Sequence, residues 1–308
     1  MENTINIGTR ASNLALAQAT IVQNTLLTLF PNLETRIVKI KTTGDIRRED
    51  NLADIGGKGV FIKELEEQLL AKEIDIAVHS MKDMPAQSHP DLCIATMLKR
   101  EAPNDVLLTK NGSTLSELKE GAVIGTSSPR RAAQLLAIRP DLTIIPFRGN
   151  VGTRIQKLHN NDVDATLLAL AGLRRLDIDY ARIAHPFETH DMVPAIGQGA
   201  IGIQCRASDT HTLDHITPLD DPDTSTCVCA ERIFLQQFGN GSCNTPIAAL
   251  AQLTEEDTTL IRFTGLIAST DGTRLARETI QTNSKDAKHD ISMLAAKLLR
   301  EVGEDVFE

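Results

Sequence analysis

The sequence predicts an α/β protein with two similar halves, followed by a small α+β domain. Over the first two-thirds of the chain, short apolar strands alternate with helical patterns, which favours largely parallel sheets. A strand, a Gly-Thr turn, a Ser cap and a helix occur twice, around Gly8 and again around Gly125. After residue 220, strand-like runs follow one another and end in a helix, a pattern typical of an α+β unit.

The first half opens with a strand over 5–8 and a helix capped by Ser12, whose side-chain oxygen can accept a hydrogen bond from a free backbone N–H. A second strand is expected over 35–40. Apolar residues recur every four positions over 60–71, which predicts a helix. Residues 74–79 are nearly all apolar, as in a buried parallel strand.

The second half repeats this order. A strand over 123–125 precedes Ser128, which we expect to cap a helix. Pro129 then occupies the first helical position, where a missing N–H costs nothing. Asn150 is expected to cap the next helix. The two halves are therefore expected to be similar α/β lobes that face a cleft.

The C-terminal part begins with residues 220–223, which we interpret as a linker that runs into a helix over 224–238. Asp271-Gly272 is a strong hairpin signal between two of the strands that follow. The expected strands and final helix cover 246–253, 258–268, 273–281 and 284–302.

Composition excludes several classes of protein. The chain has 308 residues, a net charge of −9, no Trp and one Tyr, which argues against a general DNA-binding protein. Five cysteines are an odd number and do not suggest a disulfide framework. Residues 1–8 lack an apolar signal segment, and the longest apolar stretch, 165–173, is too short to span a bilayer. The sequence therefore predicts a cytoplasmic location.

Positive charge is concentrated at predicted helix starts. Residues 121–160 hold six Lys and Arg residues and a single acid, Asp141. Arg130 and Arg131 follow the Ser128 cap, and Arg10 lies just before the Ser12 cap. Cations are disfavoured at a helix N-terminus, so this placement indicates an anion bound between the arginines and the free N–H groups. The alternative is that each arginine pairs with an acid elsewhere in the fold.

Two loops carry further candidates. The loop 56–59 contains Lys58 among three glycines but lacks the spacing of a phosphate-binding P-loop, so it is either a flexible loop or a loop that carries a mobile lysine over the cleft.

Asp83 follows the carboxyl end of the strand 74–79, and open α/β sheets bind ligands beyond the carboxyl ends of their strands. Pro85 biases Met84 towards an extended conformation. Asp83 could act as an acid or base or offset a cationic intermediate, and a turn-forming Asp is the alternative.

Cys243 lies in a loop of small residues, where a thiolate would be accessible and nucleophilic. A hydrolase is possible, although no nucleophile-elbow motif is present. Metal binding by Cys227, Cys229 and Cys243 is a rival, but the spacing matches no familiar zinc pattern, and a helix cysteine is more simply a buried one. We expect the eight histidines to contain no ligand pair at helical spacing.

Taken together, the motifs resemble the porphobilinogen deaminase (hydroxymethylbilane synthase) family, in order and over nearly the whole chain. The segments that carry the resemblance, besides Cys243, are 7–12, 56–59, 79–83, 125–131, 148–154 and 197–200.

The resemblance implies two lobes like those of type II periplasmic binding proteins, with mixed, mostly parallel sheets. It divides the chain into a first domain (1–99 and 200–218) with the Asp83 loop, an arginine-rich second domain (100–199) and a third domain (219–308) with Cys243. It implies a dipyrromethane cofactor joined to Cys243 by a thioether. Four porphobilinogen molecules would be added to it, each losing ammonia, and the linear tetrapyrrole hydroxymethylbilane released for heme biosynthesis.

By the same resemblance, Asp83 is the catalytic residue, the protein is a monomer, and no metal, membrane or nucleic acid takes part. A solute-binding protein of the same fold would explain the arginines but would need neither Asp83 nor Cys243. A cysteine-dependent metal or redox protein would leave the arginines unexplained. The residues expected to bind cofactor or substrate carboxylates are Arg10, Ser12, Lys58, Ser80, Lys82, Thr126, Ser127, Ser128, Arg130, Arg131, Arg148, Gly149, Asn150, Arg154, Arg175 and Gln198.

Overall fold

The computed structural model describes residues 4–42, 62–239 and 245–307. The predicted site residues Lys58 and Cys243 lie outside these ranges. The chain forms two compact units: Met1–Glu101 with Gly199–Ser225, and Ala102–Gln198 with Thr226–Glu308. The three-domain division stays a prediction. Within the described ranges, no helix is both long and apolar enough to cross a membrane.

The first unit contains a five-stranded mixed sheet. Its order is β2-β1-β3-β10-β4, and β10 runs antiparallel to both of its neighbours. The other four strands share one direction, so the predicted mixed, mostly parallel sheet is confirmed. The strands, numbered along the chain, are β1 (Thr4–Arg10), β2 (Glu34–Ile40), β3 (Ile76–Ser80), β4 (Leu92–Met97) and β10 (Ile201–Arg206).

The helices of this unit cover both faces of the sheet. Within the described residues of the unit they are α1 (Asn13–Leu29), α2 (Lys63–Leu70) and α6 (Thr210–Ile216). As predicted, Ser12 caps α1, and its side chain accepts a hydrogen bond from the Ala15 N–H at 3.3 Å. Residues of α1 share one apolar core with β1, and residues of α2 share another with β3, because successive strand side chains point to opposite faces.

The second unit repeats this strand order. Its five-stranded sheet has the order β7-β6-β8-β5-β9, with β5 antiparallel to both neighbours. The repeated turn motif around Gly8 and Gly125 therefore marks two sheets of matching topology. The strands are β5 (Asp105–Thr109), β6 (Val123–Gly125), β7 (Thr143–Ile145), β8 (Ala165–Ala169) and β9 (Ala184–Pro186).

Three helices accompany this sheet, and two begin as predicted. α3 covers Pro129–Ile138 after Ser128, which occupies the N-cap position but makes no side-chain capping bond, and α4 covers Val151–His159 after Asn150. The Asn150 side chain accepts a hydrogen bond from the Thr153 N–H at 2.8 Å. The third helix, α5, covers Leu170–Arg175.

The C-terminal part is an antiparallel three-stranded sheet, order β11-β12-β13, with a final helix, which confirms the α+β prediction. The expected linker ends in a cap, because the Asp221 carboxylate accepts a hydrogen bond from the Thr224 N–H at 2.8 Å. The elements are α7 (Pro222–Gln236), β11 (Ile247–Leu253), β12 (Leu260–Ala268), β13 (Leu275–Asn283) and α8 (Ala287–Val302).

The predicted hairpin turn at Asp271-Gly272 touches α3. Gly272 has φ +71°, and a Cβ atom built on it would lie 2.5 Å from the Ala133 carbonyl oxygen and 2.9 Å from the Ala137 nitrogen. Ala133 also shares a buried apolar cluster with residues of β11 and β12. The turn therefore needs glycine for its backbone conformation and for its close approach to the helix.

We predict that Gly272→Ala lowers the free energy of unfolding by about 1–3 kcal/mol more than Gly121→Ala does, because of the added contact with backbone atoms. Gly121 is a matched control, since its φ is +69° and a Cβ there would meet no atom within 4 Å. Both substitutions share the left-handed strain of about 1–2 kcal/mol. Chemical denaturation measures the difference, and equal losses would contradict the proposed contact.

Candidate functional site

Four of the predicted site residues meet at one edge of the first sheet. β1 ends at Arg10 and β3 ends at Ser80, and parallel strands present their carboxyl ends at the same edge. Arg10, Ser12, Ser80 and Asp83 line one pocket, together with His79. The pocket thus combines a guanidinium group, two hydroxyl groups, a carboxylate and an imidazole.

Asp83 lies on a short turn that is anchored at both ends. A 3₁₀ turn covers Met81–Asp83, and the Met81 N–H donates to the Ala200 carbonyl at 3.1 Å. Met81 and Met84 are both fully buried. Met84 is extended, with φ −71° and ψ 134°, as the following Pro85 predicted. Lys82 and Asp83 therefore stay partly exposed between two buried side chains.

Ser80 has a partner that the sequence did not indicate. The Gln18 side chain, on α1, is buried, and its Nε2 donates to the Ser80 Oγ at 2.8 Å. This bond fixes the position of the hydroxyl group at the end of β3. A glutamine on an amphipathic helix carries no sequence signal that would distinguish it from an ordinary surface residue.

His79 is buried beside the catalytic candidate. Its Nε2 lies 3.0 Å from Gln204 Oε1, and the Gln204 Nε2 donates to the Glu66 Oε1 at 2.8 Å. Burial lowers the pKa of His79 to about 4, although the Gln204 hydrogen bond and the Asp83 charge act to raise it. The imidazole is therefore neutral at neutral pH.

Arg130 and Arg131, in the second unit, converge on a carboxylate that the sequence analysis did not single out. The Arg130 Nη1 lies 2.6 Å from Asp105 Oδ2, and the Arg131 Nη2 lies 2.7 Å from Asp105 Oδ1. Asp105 is completely buried and each arginine is 6% exposed. Burial would raise the pKa of Asp105, but the two guanidinium groups hold it well below its usual range.

The anion at the start of α3 is thus the protein's own Asp105, which corresponds to the alternative left open for these arginines. Asp105 was missed because it begins β5, outside the basic segment 121–160. The Gln198 Nε2 completes the group, donating to Asp105 Oδ1 at 3.0 Å. Two cations and one anion leave this cluster with a net charge of +1. Binding of an external carboxylate by Arg130, Arg131 and Gln198 stays a prediction.

Arg154 differs from that pair. Its Nε donates to the Gly149 carbonyl at 2.9 Å, and in the described part of the chain no acidic side chain pairs with it. Burial, with the charge of Arg131, lowers the pKa of Arg154 to about 10. Gly149 has φ +125°, and a Cβ there would lie 2.8 Å from the Thr153 Cγ2. The lowered pKa of Arg154 indicates that its partly buried guanidinium group is partly desolvated, and an anionic ligand would stabilise it.

The remaining candidates of the second unit lie around the starts of α3 and α4 or at the end of α5. The Thr126 Oγ1 accepts from the Ser128 N–H at 3.1 Å, and the Ser127 Oγ accepts from the Phe147 N–H at 2.9 Å. These hydroxyl groups shape the turn. Arg148 precedes the Asn150 cap, and Arg175 is partly buried in the last turn of α5.

One expectation about the histidines is wrong. His211 and His215 are four residues apart on α6, and their ring centroids are 4.7 Å apart. The His215 Nδ1 is hydrogen-bonded to the backbone carbonyl of His211 at 2.8 Å.

Of the cysteines considered as metal ligands, Cys227 is buried and Cys229 is exposed. Throughout the described ranges, no group of three or more His, Cys, Asp or Glu side chains could hold a metal ion.

Comparison with known proteins gives matches along nearly the whole chain. Residues 5–214 match the family described as "Porphobilinogen deaminase, dipyromethane cofactor binding domain", and residues 225–300 match "Porphobilinogen deaminase, C-terminal domain". The porphobilinogen deaminase of Syntrophotalea carbinolica is 47% identical over 295 residues, which cover 96% of this chain and 92% of that protein. That of Geobacter sulfurreducens is 45% identical over 305 residues, covering 99% and 94%.

Among solved structures, the methionine-binding protein MetQ matches with a TM-score of 0.47 and 11% identity, over 76% of this chain and 96% of its own. A periplasmic binding protein of Salmonella typhimurium with high arginine specificity matches with a TM-score of 0.41 and 14% identity, over 72% and 93%.

Asp105→Asn is expected to lower the free energy of unfolding by about 3–5 kcal/mol, because it leaves two buried guanidinium groups without a counter-charge. Asp141→Asn is the control, since Asp141 pairs with Arg139 at the surface, where both side chains are more than 20% exposed, and its loss should be clearly smaller. Urea denaturation of both variants tests this. A loss for Asp105→Asn no larger than the control's would contradict the role of the cluster.

The free energy of unfolding is also expected to fall by about 2 kcal/mol between pH 7 and pH 5 because of His79. The unfolded imidazole has the ordinary pKa of 6.5 and the folded one about 4, so the unfolded state binds the extra proton in this range. Asp83, Arg10 and Glu66 are the charged groups around this imidazole and its Gln204 partner. Denaturation at both pH values should show a smaller fall in His79→Gln, which has no titrating imidazole. An unchanged fall would rule out His79 as the cause.

Proposed function

Because the chain belongs to the porphobilinogen deaminase family, we propose that its arginines bind pyrrole carboxylates and that Asp83 is its catalytic carboxylate. The activity is that of porphobilinogen deaminase (hydroxymethylbilane synthase), with a dipyrromethane cofactor-binding domain, in tetrapyrrole biosynthesis. The finer proposal is a transferase reaction. Four porphobilinogen molecules are added stepwise, each with loss of ammonia, and one water molecule then hydrolyses the bond to the cofactor to release hydroxymethylbilane.

The observation that carries the binding proposal is the local excess of positive charge over residues 121–160, which hold six Lys and Arg residues and one acid. Arg154 is partly desolvated and has no acidic partner in the described residues, and the cluster around Asp105 retains a net positive charge. Each porphobilinogen unit bears an acetate and a propionate group. A chain of linked pyrroles therefore offers the many carboxylates that such arginines can bind in pairs of hydrogen bonds.

We further propose that dipyrromethane is attached to Cys243 through a thioether. Cys243 lies outside the described residues, so this rests on the family and on the small-residue loop in the sequence. The polar residues of the described pocket fit dipyrromethane. Arg10 and Ser12 can bind its carboxylates, and Asp83 can accept hydrogen bonds from its pyrrole N–H groups. When bound, the cofactor supplies the pyrrole carbon to which the first substrate unit is joined.

Asp83 is proposed to act in two ways. Its carboxylate can accept hydrogen bonds from pyrrole N–H groups, which positions the reacting rings. It can also offset the positive charge that develops when ammonia leaves porphobilinogen. The turn between two buried methionines supports this role, because it holds the carboxylate at the strand edge without burying it completely.

The remaining binding residues follow from this proposal. In the first unit, Arg10, Ser12, Ser80 and Lys82 would hold carboxylates next to Asp83, together with Lys58. We also propose a cytoplasmic monomer. The residues proposed to bind carboxylates in the second unit are Thr126, Ser127, Ser128, Arg130, Arg131, Arg148, Gly149, Asn150, Arg154, Arg175 and Gln198.

The proposal is tested by the intact mass and the turnover of the purified protein. Wild type and Cys229→Ala, the control for an exposed thiol, should exceed the sequence mass by two linked pyrrole units. Cys243→Ala should lack this excess and be inactive. Asp83→Asn should keep the excess mass and bind porphobilinogen, but lose nearly all turnover. A wild-type chain of unmodified mass that is inert towards porphobilinogen would refute the function, and full activity in Asp83→Asn would remove that residue from its role.

A further inference from the structure

His79 is the end of a chain of hydrogen bonds whose direction is fixed by chemistry. The Glu66 carboxylate can only accept, so the Gln204 amide must present its NH₂ group to it. The Gln204 oxygen then faces the His79 Nε2, which must carry the proton and donate. Gln204 is completely buried, so water does not reach its amide group. The imidazole is thereby held as the tautomer with hydrogen on Nε2.

This arrangement leaves a lone pair on the other ring nitrogen. His79 is 6% exposed, and within the described residues its Nδ1 makes no hydrogen bond. The residue nevertheless lines the pocket that also contains Asp83 and Arg10. The Nδ1 atom is not among the fully buried polar atoms that lack a partner in the described residues, so it is accessible from this pocket and can accept a hydrogen bond from a ligand.

We propose that His79 contacts the substrate, and that its Nδ1 accepts a hydrogen bond from a pyrrole N–H bound beside Asp83. This inference rests on the proposed function. Two linked pyrroles carry two N–H donors, and the pocket offers two acceptors of different charge, the Asp83 carboxylate and the His79 imidazole. The His79 acceptor would add a second fixed point to the hydrogen bonds proposed for Asp83, so that the two rings are oriented together.

Neutrality is essential to this role. A protonated imidazole has an N–H on both nitrogens and cannot accept a hydrogen bond. It would also add a cation next to Arg10, where positive charge develops during loss of ammonia. The low pKa of about 4, caused mainly by burial, keeps the ring uncharged and its acceptor available at neutral pH.

The packing around His79 does not explain the choice of residue. His79 lies opposite Gly202 in the β3–β10 pair, and Gln204 is its diagonal neighbour on the same face. A glutamine at position 79 could donate to Gln204 from the place of Nε2 and so preserve this cross-strand bond. Histidine combines this donor with an acceptor at the place of Nδ1, which glutamine does not provide.

Two substitutions test the roles of the His79 Nε2 and Nδ1 atoms separately. His79→Gln keeps a donor at the Nε2 position, so it should fold with wild-type stability at pH 7.5 but lose about tenfold or more in kcat/KM for porphobilinogen. His79→Asn keeps an acceptor at the Nδ1 position but leaves Gln204 without its donor. It should therefore be less stable than His79→Gln and yet retain more of kcat/KM. Both are measured on enzyme whose mass shows the bound pyrrole units.

A purely structural role predicts that activity follows stability, so a fully active His79→Gln would overturn the proposal while leaving the wild-type activity intact. A wild type without activity would instead refute the proposed function. Should the variants not fold, ¹⁵N-histidine NMR of the wild-type holoenzyme decides. The His79 signals are those of the imidazole that stays neutral to the lowest pH. The chemical shift of its Nδ1 should change when porphobilinogen is added, and an unchanged shift would reject the contact.

Discussion

A single buried carboxylate, that of Asp105, is the interaction on which the second unit depends. It neutralises Arg130 and Arg131, which lie in the first turn of α3. Those two arginines also donate to the carbonyl groups of Val193 and Leu167, so one cluster joins β5, α3, β8 and the segment before residue 198. Burying three charges is tolerated only because nearly every polar atom has a partner. The cluster therefore holds the first turn of α3, which carries both arginines, against β5 and β8.

The two sheets share one topology but differ in the charged side chains near them. At the edge of the first sheet, Asp83 stays partly exposed and the neighbouring imidazole is kept neutral by burial. In the second unit, Arg154 is partly desolvated without an acid to pair with it in the described residues. The proposed function uses these two properties for different groups of the ligand: cations for its carboxylates, and uncharged or anionic acceptors for its pyrrole N–H groups.

The sequence predicted the features that local chemistry determines. Ser12 and Asn150 were identified as caps because their side chains bond within three residues. β5 and β10 were missed, since each is a short apolar run whose partner strands lie far away in the chain. Asp105 was missed for the same reason, because only the tertiary fold brings it to the arginines. Uncharged polar partners such as Gln204 give no pattern at all.

The position of β10 has a consequence for how the protein is made. In the first sheet, β10 lies between β3 and β4, so those two strands cannot complete their pairing until residue 206 has been synthesised. A ribosome adding about 5–20 residues per second takes of the order of 5–20 seconds to pass from β4 to β10. During that interval the nascent lobe has open strand edges, which are sites of aggregation. The order of strands along the chain thus gives the first lobe a period of exposure to aggregation during synthesis.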